Sequence, residues 1–372
     1  MDMMFVEDCC QILDSMRVPI TASDREEGEY PYYGANGIQD YIADYIFDDE
    51  LVLLAEDGGN FGSKERPIAY RVSGKCWVNN HAHVLKPKDG LDVDYLCYSL
   101  MFYKVDGMVN GATRQKLTQA AMRKMQIPSR SMDEQKFIVN ELNRISRIKE
   151  QRRQELQLLD DLIKARFVEM FGLPGTDEKG WGLRSLGECC ELNPKKGSDR
   201  RLTSGIEVSF IPMTAVSENG AIKTSEKKTY DEVKVGFTYF AENDVLFAKI
   251  TPCMENGKGA VAVDLCNGIG FGSTEFHVLR PLAGRSNPYW LYSLTVFDTF
   301  RKDATANMTG SAGQRRVPSI FLDKYKVTLP PLELQNQFAD FVHQVDKSKV
   351  AVQKALDETK LLFDSLMQKY FG

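Results

Sequence analysis

Several features that define common protein classes are missing from this sequence. It holds no apolar run of about 18 residues, the length that spans a membrane, and acidic Glu7 and Asp8 stand where a secretory signal would be basic. Its eight cysteines form no CxxC pair, so a small disulfide framework is not indicated. Lys and Arg (47) nearly balance Asp and Glu (52), for a formal charge of −5. We therefore expect a cytoplasmic protein with reduced thiols, in which any polyanion binding depends on local basic patches.

Nucleotide and methyl-transfer motifs are also missing. The Gly257-Lys258 pair superficially resembles a phosphate-binding loop, but Pro252 stands where that loop needs its first glycine. The string NPYW at 287–290 comes close to an amino-methyltransferase site but lacks the second proline. We interpret it as a turn that starts a helix.

The four histidines give weak evidence for a metal site. His81 and His83 would share one face of a single strand predicted over 77–85, which is possible ligand geometry. No acidic or cysteine partner is indicated nearby, and His277 precedes the same Val-Leu-basic-Pro string as His83. A structural histidine is favoured, and the sequence predicts no catalytic site, no metal and no cofactor.

The chain contains an internal repeat, which appears when its halves are compared at an offset of about 180 to 200 residues. Four short matches occur in the same order: EDCCQI at 7–12 with GECCEL at 187–192, VLLA at 52–55 with VLFA at 245–248, HVLKP at 83–87 with HVLRP at 277–281, and YLCYSL at 95–100 with YWLYSL at 289–294. The longest match runs to the FG pairs at 171–172 and 371–372, and it includes Gln135 with Gln335. The protein is therefore predicted to be one unit written twice.

Each repeat ends in a predicted long helix whose apolar residues follow a heptad-like stripe. A helix of about 34 residues would be roughly 50 Å long, and so long a stripe needs a partner. We expect the two helices to form an antiparallel pair related by a pseudo-twofold axis; the alternative is that each packs only on its own domain. The stripe residues proposed for pairing and partner docking are Ile138, Leu142, Ile145, Leu156, Ile163, Phe338, Val342, Val345, Leu356 and Phe363.

The segments before the helices combine short strand-like runs with glycine and asparagine turns. One helix is predicted inside each of them, over 95–103 and 289–300. The fold class is therefore mixed α/β (α+β), with two domains and two long helices. The predicted boundaries are 1–130, 131–172, 173–330 and 331–372.

Local charge differs sharply from the global balance. Residues 110–130 hold five Lys or Arg residues and no acid, and basic residues recur at the matching place in the second half, around Arg315 and Arg316. Bases in glycine-rich loops such as 111–116 and 310–316 let backbone amides approach phosphates. A solvated charged loop is the alternative for these clusters.

Several strings resemble the type I restriction-modification specificity subunits. The strings YPYYGANGI at 30–38, LAEDGGNFG at 54–62 and NGATRQKLT at 110–118 are similar to the first target-recognition domain of that family. The strings FAKITPCMENGKG at 247–259 and GSTEF at 272–276 are similar to the second. The long helices resemble the family's central and distal conserved regions. One departure is the N-terminus, where a strand-forming segment with a Trp, kept in the second half as Trp181, is missing.

The resemblance implies a non-catalytic DNA-recognition subunit. Each recognition domain would read one half of an asymmetric bipartite site in double-stranded DNA, and the helices would set the spacer. They would also dock two adenine methyltransferase subunits, and an endonuclease/translocase subunit could join. Two related but different readers on one spacer agree with a non-palindromic site.

Side-chain chemistry nominates the DNA contacts. Asn suits adenine, and Lys or Arg suits guanine, so the base-reading candidates in loops are Asn36, Asn60, Lys64, Asn219, Lys249, Asn256 and Lys258. The phosphate candidates are Arg114, Lys116, Arg315 and Arg316. A two-headed protein-binding scaffold is the main alternative function, and an enzyme of another class is the next.

Overall fold

The structure is a computed structural model that describes residues 2–111, 114–223, 226–311 and 313–372, the side chain of Ser198 excepted. Its contacts divide the chain into two compact units. Unit 1 comprises residues 1–152 and 355–372, and unit 2 comprises residues 153–354. Among the described residues, no helix combines the length and hydropathy that crossing a bilayer demands.

Unit 1 is built around one mixed sheet. Its elements are β1 (Met3–Phe5), α1 (Val6–Cys9), β2 (Cys10–Ile12), β3 (Glu27–Gly34), β4 (Gly37–Ile42), β5 (Phe47–Ala55), β6 (Ala69–Val78), β7 (Ala82–Pro87), α2 (Val93–Met101), β8 (Val109–Asn110), β9 (Lys116–Leu117), α3 (Gln119–Arg123), β10 (Gln126–Pro128) and the start of α4 (Met132–Phe171). The sheet has the strand order β2-β7-β5-β6-β3-β4, in which only β3 and β6 pair in parallel among the described strands. Buried β5 packs with α2 in the core.

Unit 2 repeats this plan with two smaller sheets. Its elements are the end of α4, then β11 (Leu183–Ser185), α5 (Leu186–Cys189), β12 (Cys190–Leu192), β13 (Glu207–Ile211), β14 (Glu226–Thr229), α6 (Tyr230–Val233), β15 (Thr238–Ala241), β16 (Val245–Ala248), β17 (Gly259–Val261), β18 (Ile269–Gly272), β19 (Phe276–Pro281), α7 (Pro288–Thr295), α8 (Asp298–Ala306), α9 (Ser319–Lys324), β20 (Lys326–Thr328) and the start of α10 (Leu332–Phe371). The sheet orders are β12-β19-β16-β17 and β14-β13-β18-β15. Strands β17 and β18 take the place of the single strand β6. The segment between them contains Asp264 and Asn267, whose backbones adopt the left-handed conformation.

The strand registers confirm the predicted repeat. Leu54 pairs with His83 in unit 1, and Phe247 pairs with His277 in unit 2. The outer strand follows the same rule, because Cys10 pairs with Pro87 and Cys190 pairs with Pro281. The matched strings therefore occupy equivalent places in two sheets.

Helices α4 and α10 each contain 40 residues. In unit 1, Tyr370 donates to Glu141 at 2.8 Å, and the Lys149 ammonium lies 4.3 Å from the centre of the Phe363 ring. A step forward along α4 therefore matches a step back along α10, so the two helices run antiparallel there. In unit 2 the order is again reversed, since Phe167 contacts Phe338 and Lys349 pairs with Asp160 at 2.7 Å.

Within each unit, the long helices also pack on the globular part. Leu142 of α4 lies in the core of unit 1, and Phe338 of α10 lies in the core of unit 2. The apolar stripe therefore serves both predicted purposes: the two helices pair with each other, and they also pack on the globular parts.

The string NPYW starts a helix, as predicted. Asn287 caps α7 by accepting from the Tyr289 amide at 2.9 Å, and Pro288 occupies the first turn, where it costs no hydrogen bond. A single helix over 289–300 was the wrong prediction, because the chain breaks at Val296 and Phe297 between α7 and α8.

Two strand predictions are also corrected. The run 77–85 is not one strand, because a turn at 79–81 separates β6 from β7 and leaves His81 outside the sheet. The strand thought missing at the N-terminus is present as β1. It pairs with β10 through Met4 and Ile127, just as β11 pairs with β20 through Arg184 and Val327.

Candidate nucleic-acid interface

At one end of unit 1, the tip of the β3–β4 hairpin, the turn after β5 and the segment before β9 come together. Asn36 Nδ2 donates to the Gly58 carbonyl at 3.0 Å, and Asn60 Nδ2 donates to Asn36 Oδ1 at 3.0 Å. The Gly58 amide donates to the Gln115 carbonyl at 3.2 Å. Two predicted base readers, Asn36 and Asn60, thus lie side by side, and Lys64 is exposed further along the same loop. We call this region the loop end of unit 1.

Arg114 belongs to a charged cluster at this loop end. Its Nη2 donates to Asp57 Oδ1 at 2.9 Å, and His81 Nδ1 lies 2.6 Å from the same oxygen. The Arg114 side chain is 57% exposed, so the paired guanidinium is still accessible from solvent. Ala112 and Thr113 of the predicted phosphate loop lie outside the described residues.

Lys116 belongs to a second, more buried network. Its ammonium lies 2.9 Å from Glu56 Oε1, while Arg17 Nη1 donates to Glu56 Oε2 at 2.6 Å and to the Ala82 carbonyl at 2.7 Å. Burial alone would raise the pKa of Glu56, but the hydrogen bonds from Arg17 and Lys116 outweigh it and lower that pKa. Glu56 is therefore an ionised carboxylate with two cationic partners.

His83 adjoins this network, and the prediction that no acid lies near it is wrong. Its Nδ1 lies 2.7 Å from Asp14 Oδ2, and its Nε2 lies 2.9 Å from the Leu117 carbonyl. Ligand atoms of Asp14, Glu56 and His83 lie within 4.8 Å of one another, which is close enough for a metal ion. Because cations already pair with the carboxylates and Gln119 donates to Asp14 at 2.8 Å, we interpret the group as an ion-pair network.

The loop end of unit 2 lies where β16 ends, β19 begins and residues 314–317 return. The Lys249 amide donates to the Glu275 carbonyl, and the Val317 amide donates to the Lys249 carbonyl, both at 2.9 Å. Arg316 binds the Glu275 carboxylate with two hydrogen bonds, of 2.9 and 2.8 Å. This pairing holds the pKa of Glu275 below its ordinary value.

Two further predicted base readers lie in the turn that follows β16. Asn256 is exposed, and Lys258 is half-buried with its amide bonded to a carbonyl of the same turn. Arg315 lies beside this turn, with its Nη2 3.4 Å from Glu255 Oε1. Ala312, in the glycine-rich loop predicted at 310–316, lies outside the described residues.

Asn219 lies in a separate turn of unit 2. The Ser217 hydroxyl donates to its Oδ1 and accepts from the Ala221 amide at 2.9 Å, which closes the turn. Across the described ranges, no hydrogen bond links the Asn219 side chain to another predicted base reader.

The acids at both loop ends were not anticipated from the sequence. All four predicted phosphate contacts are paired with a carboxylate: Arg114 with Asp57, Lys116 with Glu56, Arg315 with Glu255 and Arg316 with Glu275. The sequence did indicate that acids lie near these loops, since Glu56 and Glu275 each stand next to a strand end in the repeat. The matched strings could not predict which Arg or Lys side chain would pair with which carboxylate.

The predicted stripe residues on the long helices differ in burial. Ile138, Leu142, Phe338, Val342, Val345, Leu356 and Phe363 are buried, whereas Ile145, Leu156 and Ile163 are half-buried. Other apolar residues of the helices face solvent. They are Phe137, Leu361 and Leu362 in unit 1 and Leu158, Leu162 and Val350 in unit 2.

A sequence profile described as "Type I restriction modification DNA specificity domain" matches residues 1–158 and 178–359. The chain is similar to the specificity subunit of the type I restriction enzyme EcoAI from Escherichia coli, with 36% identity over 195 residues, 50% of this chain and 32% of that protein. The EcoEI specificity subunit from the same organism is 34% identical over 196 residues, 51% of this chain and 32% of the relative. The matches thus span about a third of the length of these curated relatives.

Two solved structures share the fold. The S subunit of a type I restriction-modification system from M. genitalium aligns with a TM-score of 0.56 at 12% identity, over 100% of this chain and 96% of that one. A chain from a structure on complex assembly and conformational transition of the type I R-M system aligns with a TM-score of 0.51 at 16% identity, with the same coverage.

Proposed function

The chain belongs to the family of type I restriction-modification DNA specificity domains, and from this membership we propose that it is the non-catalytic DNA-recognition subunit of a type I complex. Each unit reads one half of an asymmetric, bipartite site in double-stranded DNA. The observation that carries the proposal is the pair of loop ends. They share one backbone framework but present different side chains, as two different half-sites require.

The base-reading role falls to side-chain amides and amines in the loops. Asn36, Asn60 and Lys64 serve unit 1, and Asn256 and Lys258 at the loop end, with Asn219 in a separate turn, serve unit 2. Asn60 supports this assignment most directly, because its Nδ2 is bonded to Asn36 while no donor among the described residues occupies its Oδ1.

The phosphate-contacting role falls to Arg114, Lys116, Arg315 and Arg316. In the free protein each of these cations is paired with a carboxylate. When DNA binds, a phosphate replaces that carboxylate or shares the cation with it. That exchange is consistent with a chain of formal charge −5 that binds a polyanion through local sites.

The long helices set the spacer between the half-sites and dock two adenine methyltransferase subunits, and an endonuclease/translocase subunit joins the complex. Buried stripe residues hold the helices together, so the docking surface is better sought among the exposed apolar residues such as Leu158, Leu162 and Leu361. We place the assembly in the cytoplasm, where chromosomal DNA is its substrate.

The test is a gel shift of the full chain with a co-expressed methyltransferase subunit, together with mapping of methylated adenines in the host genome. The expected result is a shift that resists nonspecific competitor and a methylated motif with two unequal halves around a fixed spacer. A complex that binds all duplexes equally, or methylation without a bipartite motif, contradicts the proposal and favours a protein-binding scaffold.

A further inference from the structure

One place lies beside equivalent strands in both units but carries different charges. In unit 1, Asp14 Oδ1 accepts from the Val84 amide at 2.9 Å, and Asp14 Oδ2 contacts His83. In unit 2, Asn193 Oδ1 accepts from the Val278 amide at 3.0 Å, and the Asn193 side chain contacts His277. The Asn193 side chain therefore takes the place of the Asp14 side chain, although the backbone of Asn193 matches that of Leu13, since the Leu13 amide donates to the Val84 carbonyl and the Asn193 amide to the Val278 carbonyl.

Lys249 is likewise the counterpart of Glu56. The Glu56 amide donates to the His81 carbonyl at 2.8 Å, and its carbonyl accepts from the Leu117 amide at 2.6 Å. Lys249 makes the same two contacts with Glu275 and Val317. Both carboxylates that neutralise this place in unit 1 are thus replaced in unit 2, one by an amide and one by a cation.

The result in unit 2 is an open cleft of about 630 Å³. Four lysines line it, namely Lys195, Lys196, Lys234 and Lys249, together with Asn193, His277 and the exposed side chains of Val235 and Phe237. None of the described residues lining the cleft is an Asp or a Glu. In unit 1 the counterpart is filled by Arg17, Lys116 and their carboxylates.

The acids closest to Lys249 and Lys234 are bound by other groups or lie outside the lining of the cleft. Glu275 is close to Lys249 but is held by two hydrogen bonds from Arg316, and Lys234 pairs with Asp231 at 3.0 Å. Burial, with a smaller contribution from Lys249, lowers the pKa of His277, so that this histidine adds no charge at neutral pH. Across the described residues, the Lys249 ammonium has no carboxylate within ion-pair distance.

We propose that this cleft binds a phosphate group of the DNA backbone without first breaking an ion pair of Lys249, whereas the cations at the same place in unit 1 are already paired with carboxylates. The identity of the ligand rests on the proposed function; the chemistry itself is that of a phosphate, in DNA or free. Lys249 then contacts the backbone and not a base edge. Lysine suits this role because its ammonium is a compact charge with three donors.

The first test measures DNA affinity against KCl concentration, using the full chain with its methyltransferase partner and a duplex of unrelated sequence. The variants are Lys249→Gln and Lys196→Gln, with Lys179→Gln as a matched loss of one exposed lysine elsewhere in unit 2. Each cleft variant is expected to make the negative slope of log affinity against log salt shallower by about 0.9. Melting temperatures should equal that of the wild type, and Lys179→Gln should leave the slope unchanged.

The second arm replaces DNA with inorganic phosphate, followed by the shift in melting temperature against a chloride control of equal ionic strength. Wild type should be stabilised, and Lys249→Gln should not. If phosphate binds but the DNA slopes of all variants equal the wild-type slope, the assignment to DNA is overturned. If Lys249→Gln changes neither the DNA salt slope nor the stabilisation by phosphate, the site itself is refuted. A wild-type complex that binds no DNA refutes the proposed function instead.

Discussion

A buried glutamine joins each long helix to its domain. Gln335 Nε2 donates to the Arg285 and Pro330 carbonyls at 3.1 and 2.8 Å, and its Oε1 accepts from the Asn287 amide at 2.8 Å. Gln135 makes the equivalent contacts with Gly90, Arg130 and Asp92 in unit 1. The sequence identified this pair only as an identity in the repeat, and the structure gives its physical cause.

Replacing Gln335 with Leu should destabilise the chain by about 2–4 kcal/mol, because three buried backbone groups lose their partner. The measurement is chemical denaturation followed by circular dichroism. Gln337→Leu is the matched control, since Gln337 is exposed two residues further along α10 and should change the unfolding free energy by less than about 0.5 kcal/mol. Equal effects of the two variants would contradict this role.

The carboxylates of the unit 1 network make stability depend on pH. The pKa values of Asp14 and Glu56 lie below their ordinary 3.8 and 4.5, because hydrogen bonds from His83, Arg17 and Lys116 outweigh burial. A carboxyl with a lowered pKa stabilises the fold fully above its ordinary pKa and loses that contribution as pH falls through the lowered value.

Glu56→Gln should therefore lower stability by about 2 kcal/mol at pH 7, and the gap from wild type should close as pH falls below 4.5 and through the lowered pKa of Glu56. Thermal unfolding across this range provides the measurement, with the exposed loop variant Glu65→Gln as control. A gap that is constant with pH would show that Glu56 acts through packing and not through its charge.

At the scale of elements, sequence patterns predicted long helices and buried strands well, but they failed at breaks. The stripe through Leu142 and Phe338 predicted both α4 and α10. The interruption at 79–81 was missed because Val78 and Ala82 continue an apolar pattern across a turn. Backbone hydrogen bonding, which hydrophobicity does not report, decides such breaks.

Burial along the helices also separates the residues that pack in the cores from the exposed residues to which we assign methyltransferase docking. Leu356 is 4% exposed, so Leu356→Asp would damage the fold before any partner could report on it. Leu158 and Leu162 are 67% and 47% exposed and lie one turn apart on α4. They are the better probes of methyltransferase docking in unit 2.

The double variant Leu158→Ser with Leu162→Ser should weaken methyltransferase binding by at least about tenfold. This corresponds to a loss of about 1.4 kcal/mol or more of binding free energy from apolar contacts at the interface. Its melting temperature should stay within a few degrees of wild type. Size exclusion of the co-expressed subunits tests assembly, and Val263→Ser, an exposed apolar position away from the helices, is the control. Unchanged assembly would remove these two residues from the docking surface.

For the whole molecule, duplication was readable from sequence and divergence was not. The HVLKP and HVLRP strings located equivalent strands, and their registers agree. The match of VLLA with VLFA already placed Glu56 opposite Lys249, but the effect of that exchange was visible only once the structure showed which cations and carboxylates surround each residue. The shared framework therefore follows from the core, while the loop side chains to which we assign base reading are not constrained by that core.

If each unit reads one half-site, as we propose, this division predicts that the free-energy contributions of the two units to DNA recognition are independent. Asn60→Ala should relax base preference in one half-site and Asn256→Ala in the other, each by about 1–3 kcal/mol of discrimination. In the double variant the losses should add to within about 0.5 kcal/mol, because each unit folds around its own core and the two residues share no partner. Selection of bound sequences from a random duplex library, with the partner subunits present, measures both preferences at once. A single substitution that alters both half-sites, or a double variant far from additive, would mean that the units recognise DNA as one coupled surface.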